Sequence, residues 1–402
     1  MGGRESVLKD TKVVVVGGGY GGAQAVSLLR GKCQLTVIDA REYYHYCIGG
    51  PRATVEPGFE KKILISYAEA WPGIYQQGKV VGVNPKEKVV LLESGEAIPY
   101  DIVIIATGCR GPFPSKIKLD VKTQPEAEEL FQAKQKQVQS AGRITVIGGG
   151  AVGVEMAAEI ATEYPQKEVT VVSSSDKIIT GPFKKGFRDG VTKQLKNLGV
   201  HLVLGERVSN LMDLPTDGSS SCTVKTDGGL EIETDLVIIA TGLQVNTEAY
   251  EAHFSDAMDE SNCLKVNQFL QVDGYTDVFA VGDCNNADQV KMAFKAELQM
   301  KVIANNMQAL LTGGTMSPYK EKNLIMLTLG RYGGMTQYGS FVAGSLVTRM
   351  KARDVFVGRT RKLFLGGSSN FSTLSVMFVL LVIITLCMPY FIWIVSKYVL
   401  FL

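Results

Sequence analysis

The sequence predicts an α/β protein made of two copies of one parallel-sheet unit, a small C-terminal α+β lobe and one transmembrane helix. Three observations predict it: a repeated strand, glycine turn and helix; a repeated closing phrase after each copy; and an uncharged apolar run near the C-terminus. With 402 residues the chain exceeds a usual domain of ~100 to 200 residues, so several folded units are expected. Lys plus Arg number 42 against 40 Asp plus Glu, a formal charge of +2, which supplies no field for a polyanion and makes nucleic acid an unexpected partner. The 43 glycines, without a collagen period, point to turns with positive φ or close ligand approach.

The first copy opens on Lys12-Val-Val-Val-Val16, a β-branched run suited to a strand buried on both faces. Gly17-Gly18-Gly19-Tyr20-Gly21-Gly22, an Ala-rich helix from Ala23 and a strand ending at Asp39 complete a βαβ unit. Gly17, Gly19 and Gly22 have GxGxxG spacing, which lets backbone N–H groups and the positive end of a helix approach a pyrophosphate. Asp39 stands 22 residues after Gly17, where a carboxylate accepts hydrogen bonds from ribose hydroxyls. The second copy runs from Arg143-Ile-Thr-Val-Ile147 through Gly148, Gly150 and Gly153 to a strand ending in Ser173-Ser-Ser175. Ser173 in place of an acid removes the repulsion that excludes a 2′-phosphate, and Lys177 is near in sequence, so NADPH is allowed alongside NADH. The serines also suit a plain solvated loop.

Both units therefore read as Rossmann-like dinucleotide-binding domains, closed by Tyr100-Asp-Ile-Val-Ile-Ile-Ala-Thr-Gly108 and Thr234-Asp-Leu-Val-Ile-Ile-Ala-Thr-Gly242. Two dinucleotide sites in one chain are explained by FAD facing NADH or NADPH, with hydride passing between them. The expected domains are an N-terminal segment (1–10), an FAD-binding domain in two parts (11–120 and 261–320), an NAD(P)H-binding domain (121–260), a C-terminal lobe (321–365) and a transmembrane tail (371–399). Gln124 to Gly142 reads as a polar linking helix, and Pro215 to Gly229 as hairpin loops.

From Phe371 to Ser396 there are 26 residues without a charge, roughly 39 Å as helix against a hydrocarbon core of ~30 Å. Arg359, Arg361 and Lys362 precede this run and Lys397 follows it, so the positive-inside bias puts the large N-terminal part in the cytosol. The protein reads as tail-anchored, in the endoplasmic reticulum, at lipid droplets or in the mitochondrial outer membrane. Gly2 with Ser6 fits a myristoylation pattern, but one acyl chain binds only marginally at ~10⁴ M⁻¹, so the span decides location. Seven cysteines without a CxxC or CxxxxC pair, and His45, His201 and His253 far apart in sequence, give neither a dithiol centre nor a metal site.

The order GGGYGG, Asp39, ATG, GGGAVGVEMAAE, ATG and TDVFAVGDC resembles the two-dinucleotide-domain flavoprotein oxidoreductases, with their glutathione-reductase-like fold. Arg52-Ala-Thr-Val-Glu-Pro-Gly-Phe-Glu-Lys-Lys62, Glu206-Arg-Val-Ser-Asn-Leu211 and Lys291-Met-Ala293 resemble its apoptosis-inducing-factor-like group. The resemblance covers roughly residues 10 to 362 and implies NAD(P)H-driven reduction of ubiquinone or a related lipid quinone, giving radical-trapping hydroquinone. It implies that Asp283 bonds the ribityl chain of FAD, that Lys291 and Met292 lie along the isoalloxazine edge, and that Arg52 joins the cofactor-binding set. Glu155 falls near the nicotinamide, Lys351 and Phe356 approach the flavin and quinone channel, and His45 lies near the flavin. Each also has a structural use: a helix N-terminus favours Glu155 without any ligand, and Met292 and Phe356 are apolar fillers.

Two rival functions remain open on the sequence. Cys47, eight residues after Asp39, stands near where a single cysteine makes a flavin peroxidase or disulfide reductase, although Cys-Ile-Gly-Gly-Pro-Arg is expected to break the helix positioning such a thiol. The other rival is a flavin-binding, apoptosis-related scaffold without turnover.

Overall fold

The structure, a computed structural model, describes residues 8–365. The expected span at 371–399 and Gly2 lie outside these residues. Among the described residues no helix is long and apolar enough to cross a membrane.

The first unit starts at β1 (Lys12–Val16), α1 (Tyr20–Leu29) and β2 (Gln34–Asp39). A short helix, α2 (Gly50–Ala53), and the strands β3 (Tyr75–Gln77) and β4 (Ile102–Ile105) follow, and β9 (Val278–Ala280) joins the same sheet from far along the chain. The order is β9-β4-β1-β2-β3, with every pairing parallel. Val13 to Val16 are each at most 2% exposed, which explains why this strand has no polar face. Burial of that kind contributes ~1.5 to 3 kcal/mol per valine side chain. Because β1 has β2 on one side and β4 on the other, the crevice at its C-terminal end is a topological switch point, where such sheets bind ligands.

The second unit repeats the arrangement between β4 and β9. A helix, α3 (Gln124–Ser140), leads in, opened by a capping box in which Thr123 and Glu126 satisfy each other's backbone N–H. β5 (Arg143–Ile147), α4 (Ala151–Glu163), β6 (Glu168–Ser173), α5 (Lys185–Asn197), β7 (His201–Leu204) and β8 (Leu236–Ile239) build a parallel sheet ordered β7-β6-β5-β8. A two-stranded antiparallel hairpin, Cys222–Lys225 with Glu231–Thr234, precedes β8. The first unit carries an antiparallel meander of its own at Val80–Asn84, Val89–Leu92 and Ala97–Pro99.

After β9 the chain makes α6 (Ala293–Thr312), which packs on α1. The C-terminal lobe follows as an antiparallel sheet of β10 (Leu324–Leu329), β11 (Gly333–Tyr338) and β12 (Phe341–Ala343), then α7 (Ser345–Asp354) and α8 (Val357–Phe364). This lobe touches both units. Its sheet joins the second unit's core through Ile325, Leu327, Leu329 and Met335. α8 instead anchors on the first unit, with the Phe364 ring 4.0 Å from Tyr44 and 4.8 Å from Trp71. Aromatic pairs at such separations add ~0.5 to 1.5 kcal/mol beyond their burial.

Candidate active site

The two glycine turns are built alike, and each glycine has a distinct reason. Gly17 and Gly148 have φ of +106° and +132°, the first bend out of the strand. A methyl group on Gly22 would stand 2.1 Å from the Gly17 carbonyl oxygen, and one on Gly153 would stand 2.0 Å from that of Gly148, so the helix seats only on glycine. At the middle positions, Gly19 and Gly150, none of the described residues, apart from the immediate chain, lies within 4 Å of where a side chain would begin. A closed base, a positive-φ bend and an open middle at the start of an α-helix fit a diphosphate held by backbone N–H groups.

The ends of β2 and β6 occupy corresponding places. Asp39 is buried, and its carboxylate accepts from the Gly18 N–H (2.8 Å) and the Arg41 N–H (3.0 Å), which holds it beside the first turn. Ser173 hangs over the second turn in the same way, with its Oγ 2.7 Å from where a Gly149 side chain would begin. Lys177 reaches its neighbour Asp176 at 3.5 Å, and both are exposed.

The structure brings together two residues that are 196 positions apart in the sequence. Glu155 lies in the first turns of α4, directly after the second glycine turn, and Lys351 comes from α7 of the C-terminal lobe. Lys351 Nζ donates to Glu155 Oε1 (3.2 Å) and to the Met326 carbonyl (2.7 Å). The same Oε1 accepts from the backbone N–H and hydroxyl of Thr328, at 3.0 and 2.9 Å. Both charged residues are buried, and each offsets part of the cost of burying the other.

One helical turn on, Glu159 makes a second such pair. Arg52 is 1% exposed and gives its Nε and Nη2 to Glu159, the latter at 2.8 Å, and its Nη1 to the Arg353 carbonyl at 3.0 Å. Burial pushes the Glu159 carboxyl up, against the pull of Arg52. Arg52 thus ties the first unit, the second unit and the lobe together through protein partners. The sequence did carry a signal for this: Glu155 and Glu159 sit four apart on one face of a largely apolar helix, so two buried carboxylates require two cations. Replacing Arg52 with Met is expected to cost ~3 to 5 kcal/mol in stability, since Glu159 is left buried and unpaired. Chemical denaturation checks this, and adding Glu159→Leu should recover most of the loss. A flavin-free Arg52→Met protein of unchanged stability would instead show Arg52 to be a direct cofactor ligand.

Asp283 lies in the turn after β9 and accepts from the Cys109 thiol at 2.9 Å, with Lys116 Nζ at 4.0 Å. Burial, then the Asp283 charge, pushes that thiol up to about 12, so Cys109 is a hydrogen-bond donor and not a nucleophile. Lys291 Nζ donates to the Asn285 carbonyl just beyond this turn. Met292 caps α6 and lines a small apolar cavity with Phe183, Val290, Leu324 and Ile325, where first unit, second unit and lobe meet.

His45 is buried, its Nε2 has no hydrogen-bond partner among the described residues, and its ring centre lies 5.7 Å from that of Phe131. Burial first, then the positive charges of Arg41 and Lys116, pushes its imidazole well below the usual histidine range, so it is neutral near pH 7. Phe356 is half-buried at the start of α8 in a left-handed conformation (φ +59°), directly after Val355 (φ +53°). Two such residues in succession are strained, one of them β-branched. Tyr46, which the sequence reading did not single out, holds this turn by donating its hydroxyl to the Val355 carbonyl at 2.9 Å.

Cys47 is not carried on a long helix. Cys47–Gly49 is a 3-10 turn that runs into α-helical Gly50–Ala53. The two glycines also serve close approach, since side chains there would meet Ile63 at 2.5 Å and the Pro114 carbonyl at 2.6 Å.

Residues 11–307 match the pyridine nucleotide-disulphide oxidoreductase family. The chain is 40% identical to Ferroptosis suppressor protein 1 of Homo sapiens over 354 residues, covering 87% of this chain and 95% of the relative. It is 33% identical over 370 residues to Apoptosis-inducing factor homolog B of Dictyostelium discoideum, with 87% and 95% covered. Among solved structures, the sulfide:quinone oxidoreductase of Aquifex aeolicus superposes with a TM-score of 0.71 at 16% identity, over 90% of this chain and 94% of that one. With two matching glycine turns on two parallel sheets, the chain belongs to the pyridine nucleotide-disulphide oxidoreductase family, as an FAD-dependent enzyme that takes its electrons from NAD(P)H.

Proposed function

We propose that this protein is a membrane-anchored NAD(P)H:quinone oxidoreductase, supplying lipid hydroquinone that traps radicals during lipid peroxidation. The observation that carries the reading is the Lys351–Glu155 pair, by which the C-terminal lobe is seated against the first helix of the second dinucleotide unit. The high identity to proteins named Ferroptosis suppressor protein 1 supports the same reading.

FAD, when bound, accepts hydride from the nicotinamide and passes the electrons to the acceptor. The residues of this chain bind, orient and exclude water. The first turn, through Gly17, Gly19 and Gly22 with Asp39, would take the FAD diphosphate and ribose. The second, through Gly148, Gly150 and Gly153 with Ser173, would take NAD(P)H. Asp283 would hold the ribityl chain, and Lys291 and Met292 would flank the ring at the junction of the units.

Glu155 and Lys351 would border the nicotinamide and flavin. Because Lys351 is fixed by two oxygen acceptors, its ammonium is a preorganised positive charge for the electron-rich state of the site. Phe356, on its strained turn, would line the quinone path. His45, neutral and buried, would contribute shape and a lone pair or N–H rather than a charge.

The uncharged run at 371–396 supports attachment to a bilayer, where a lipid quinone resides, and tethering raises the effective concentration of enzyme at that substrate. The test is steady-state oxidation of NADH and of NADPH with a short-chain quinone and with a bilayer-embedded one. Turnover with both is expected, and removal of residues 371–402 should spare the first while lowering the second. Turnover with peroxide but not quinone, abolished by Cys47→Ser, would replace this reading with a single-cysteine peroxidase. A bound flavin without any turnover would point to the scaffold.

A further inference from the structure

A second cluster of buried charge lies on α6, behind the turn that presents Asp283. Lys295 and Asp288 are each 2% exposed and stand 3.4 Å apart. Lys295 also pairs with Glu321, and the Tyr319 hydroxyl donates to Asp288 at 3.0 Å. Four residues after Lys295, one turn along the same helix, Gln299 is 1% exposed and makes three hydrogen bonds. Its Oε1 accepts from the Gly282 N–H (2.7 Å) and from Asn285 Nδ2 (2.9 Å), while its Nε2 donates to Asp288 Oδ2 (2.6 Å). Asn285 in turn donates to the Ala280 carbonyl at 2.7 Å, closing the loop onto β9.

The direction of the Gln299 amide follows from chemistry. A carboxylate only accepts, so Asp288 requires the NH₂ end, and the carbonyl end is left facing Gly282 and Asn285. Gly282 is at φ +83°, and its N–H is turned into the protein, away from the strand ladder. Without Gln299 that part-buried donor would lose its partner, and the turn would relax toward another. Asp283 is the next residue.

We infer that Gln299, its amide fixed by the buried Asp288–Lys295 pair, is the positioning residue that holds the Gly282–Asp283 turn in its FAD-binding geometry. This rests on the reading of Asp283 as a flavin ligand. The test measures the FAD dissociation constant on full-length, deflavinated protein for Asp283→Ala, Gln299→Leu, the double variant and Gln299→Glu.

Each of Asp283→Ala and Gln299→Leu is expected to weaken FAD binding at least tenfold, and the double variant no further than Asp283→Ala alone, because one residue acts through the other. An unchanged constant for Gln299→Leu, or fully additive losses in the double variant, would overturn the inference. An unchanged constant for Asp283→Ala would instead overturn the reading of Asp283 as a ligand.

Gln299→Glu covers the case in which the Leu variant fails to fold. It keeps the acceptor oxygen for Gly282 and Asn285, and its new carboxyl donates to Asp288 only when protonated. It faces Asp288, with Lys295, Tyr319 and Glu321 behind. FAD binding by this variant should strengthen as the pH falls through the titration of that carboxyl, with no such slope in the parent protein. A flat profile identical to the parent's would also overturn the inference.

Discussion

Gly22→Ala is expected to abolish retention of FAD. The added methyl would stand 2.1 Å from the Gly17 carbonyl oxygen, a backbone atom that cannot swing away as a side-chain tip could. Either α1 lifts from β1 or the turn opens, and both displace the N–H groups that meet the diphosphate. A loss of at least a hundredfold in FAD affinity, about 2.7 kcal/mol at 1.36 kcal/mol per tenfold, is the expected size. The protein should purify colourless while its second unit, whose sheet and helix lie elsewhere, still binds NAD(P)H. Fluorescence titration with FAD and with NADH checks the two halves separately. Gly19→Ala is the control, since none of the described residues would crowd its methyl group, and its effect should arise from crowding the cofactor.

Lys351→Met should keep the flavin and lose the rate. Lys351 Nζ bonds Glu155 and the Met326 carbonyl among the described residues, and neither belongs to the glycine turns. Its removal leaves Glu155 with the two neutral donors of Thr328, at 3.0 and 2.9 Å, in a buried place. Loss of one preorganised electrostatic group at a reacting centre costs ~10² to 10³ in kcat. A fall of about a hundredfold in NAD(P)H oxidation, at parent-like FAD content, is therefore expected. Glu155→Gln keeps an acceptor oxygen for Thr328 and for Lys351, so its effect should be smaller. Equal rates for parent and Lys351→Met under saturating NAD(P)H and quinone would remove the pair from the reaction and leave it a structural tie.

The parts legible in the sequence were those with a local cause. Four successive valines can be buried on both faces only in a central parallel strand, and Gly17, Gly19 and Gly22 carry their spacing in six residues. The correspondence of Asp39 with Ser173 follows from counting along two copies of one pattern, and the structure puts both beside their turns.

What stayed hidden depends on partners remote in the chain. Arg52 meets Glu159 across 107 residues, Tyr46 meets Val355 across 309, and no local pattern encodes those meetings. The segment around Arg52 resembles the family, but nothing local in it foretells that its guanidinium meets Glu159 and the Arg353 carbonyl. The glycines at 49 and 50 read locally as helix breakers, while their second use, leaving room for Ile63 and the Pro114 carbonyl, again depends on remote residues. The antiparallel meander at 80–99 was missed because its strands are short, four or five residues at most.

The central claim is that two dinucleotide sites in one chain deliver electrons from a nicotinamide to a flavin. Anaerobic addition of one equivalent of NADH or NADPH to the purified, flavin-loaded protein measures this directly. The account predicts that the yellow absorbance of the bound flavin bleaches and that a quinone then restores it. Flavin that stays oxidised under either nicotinamide, in protein shown to bind both cofactors, would contradict it.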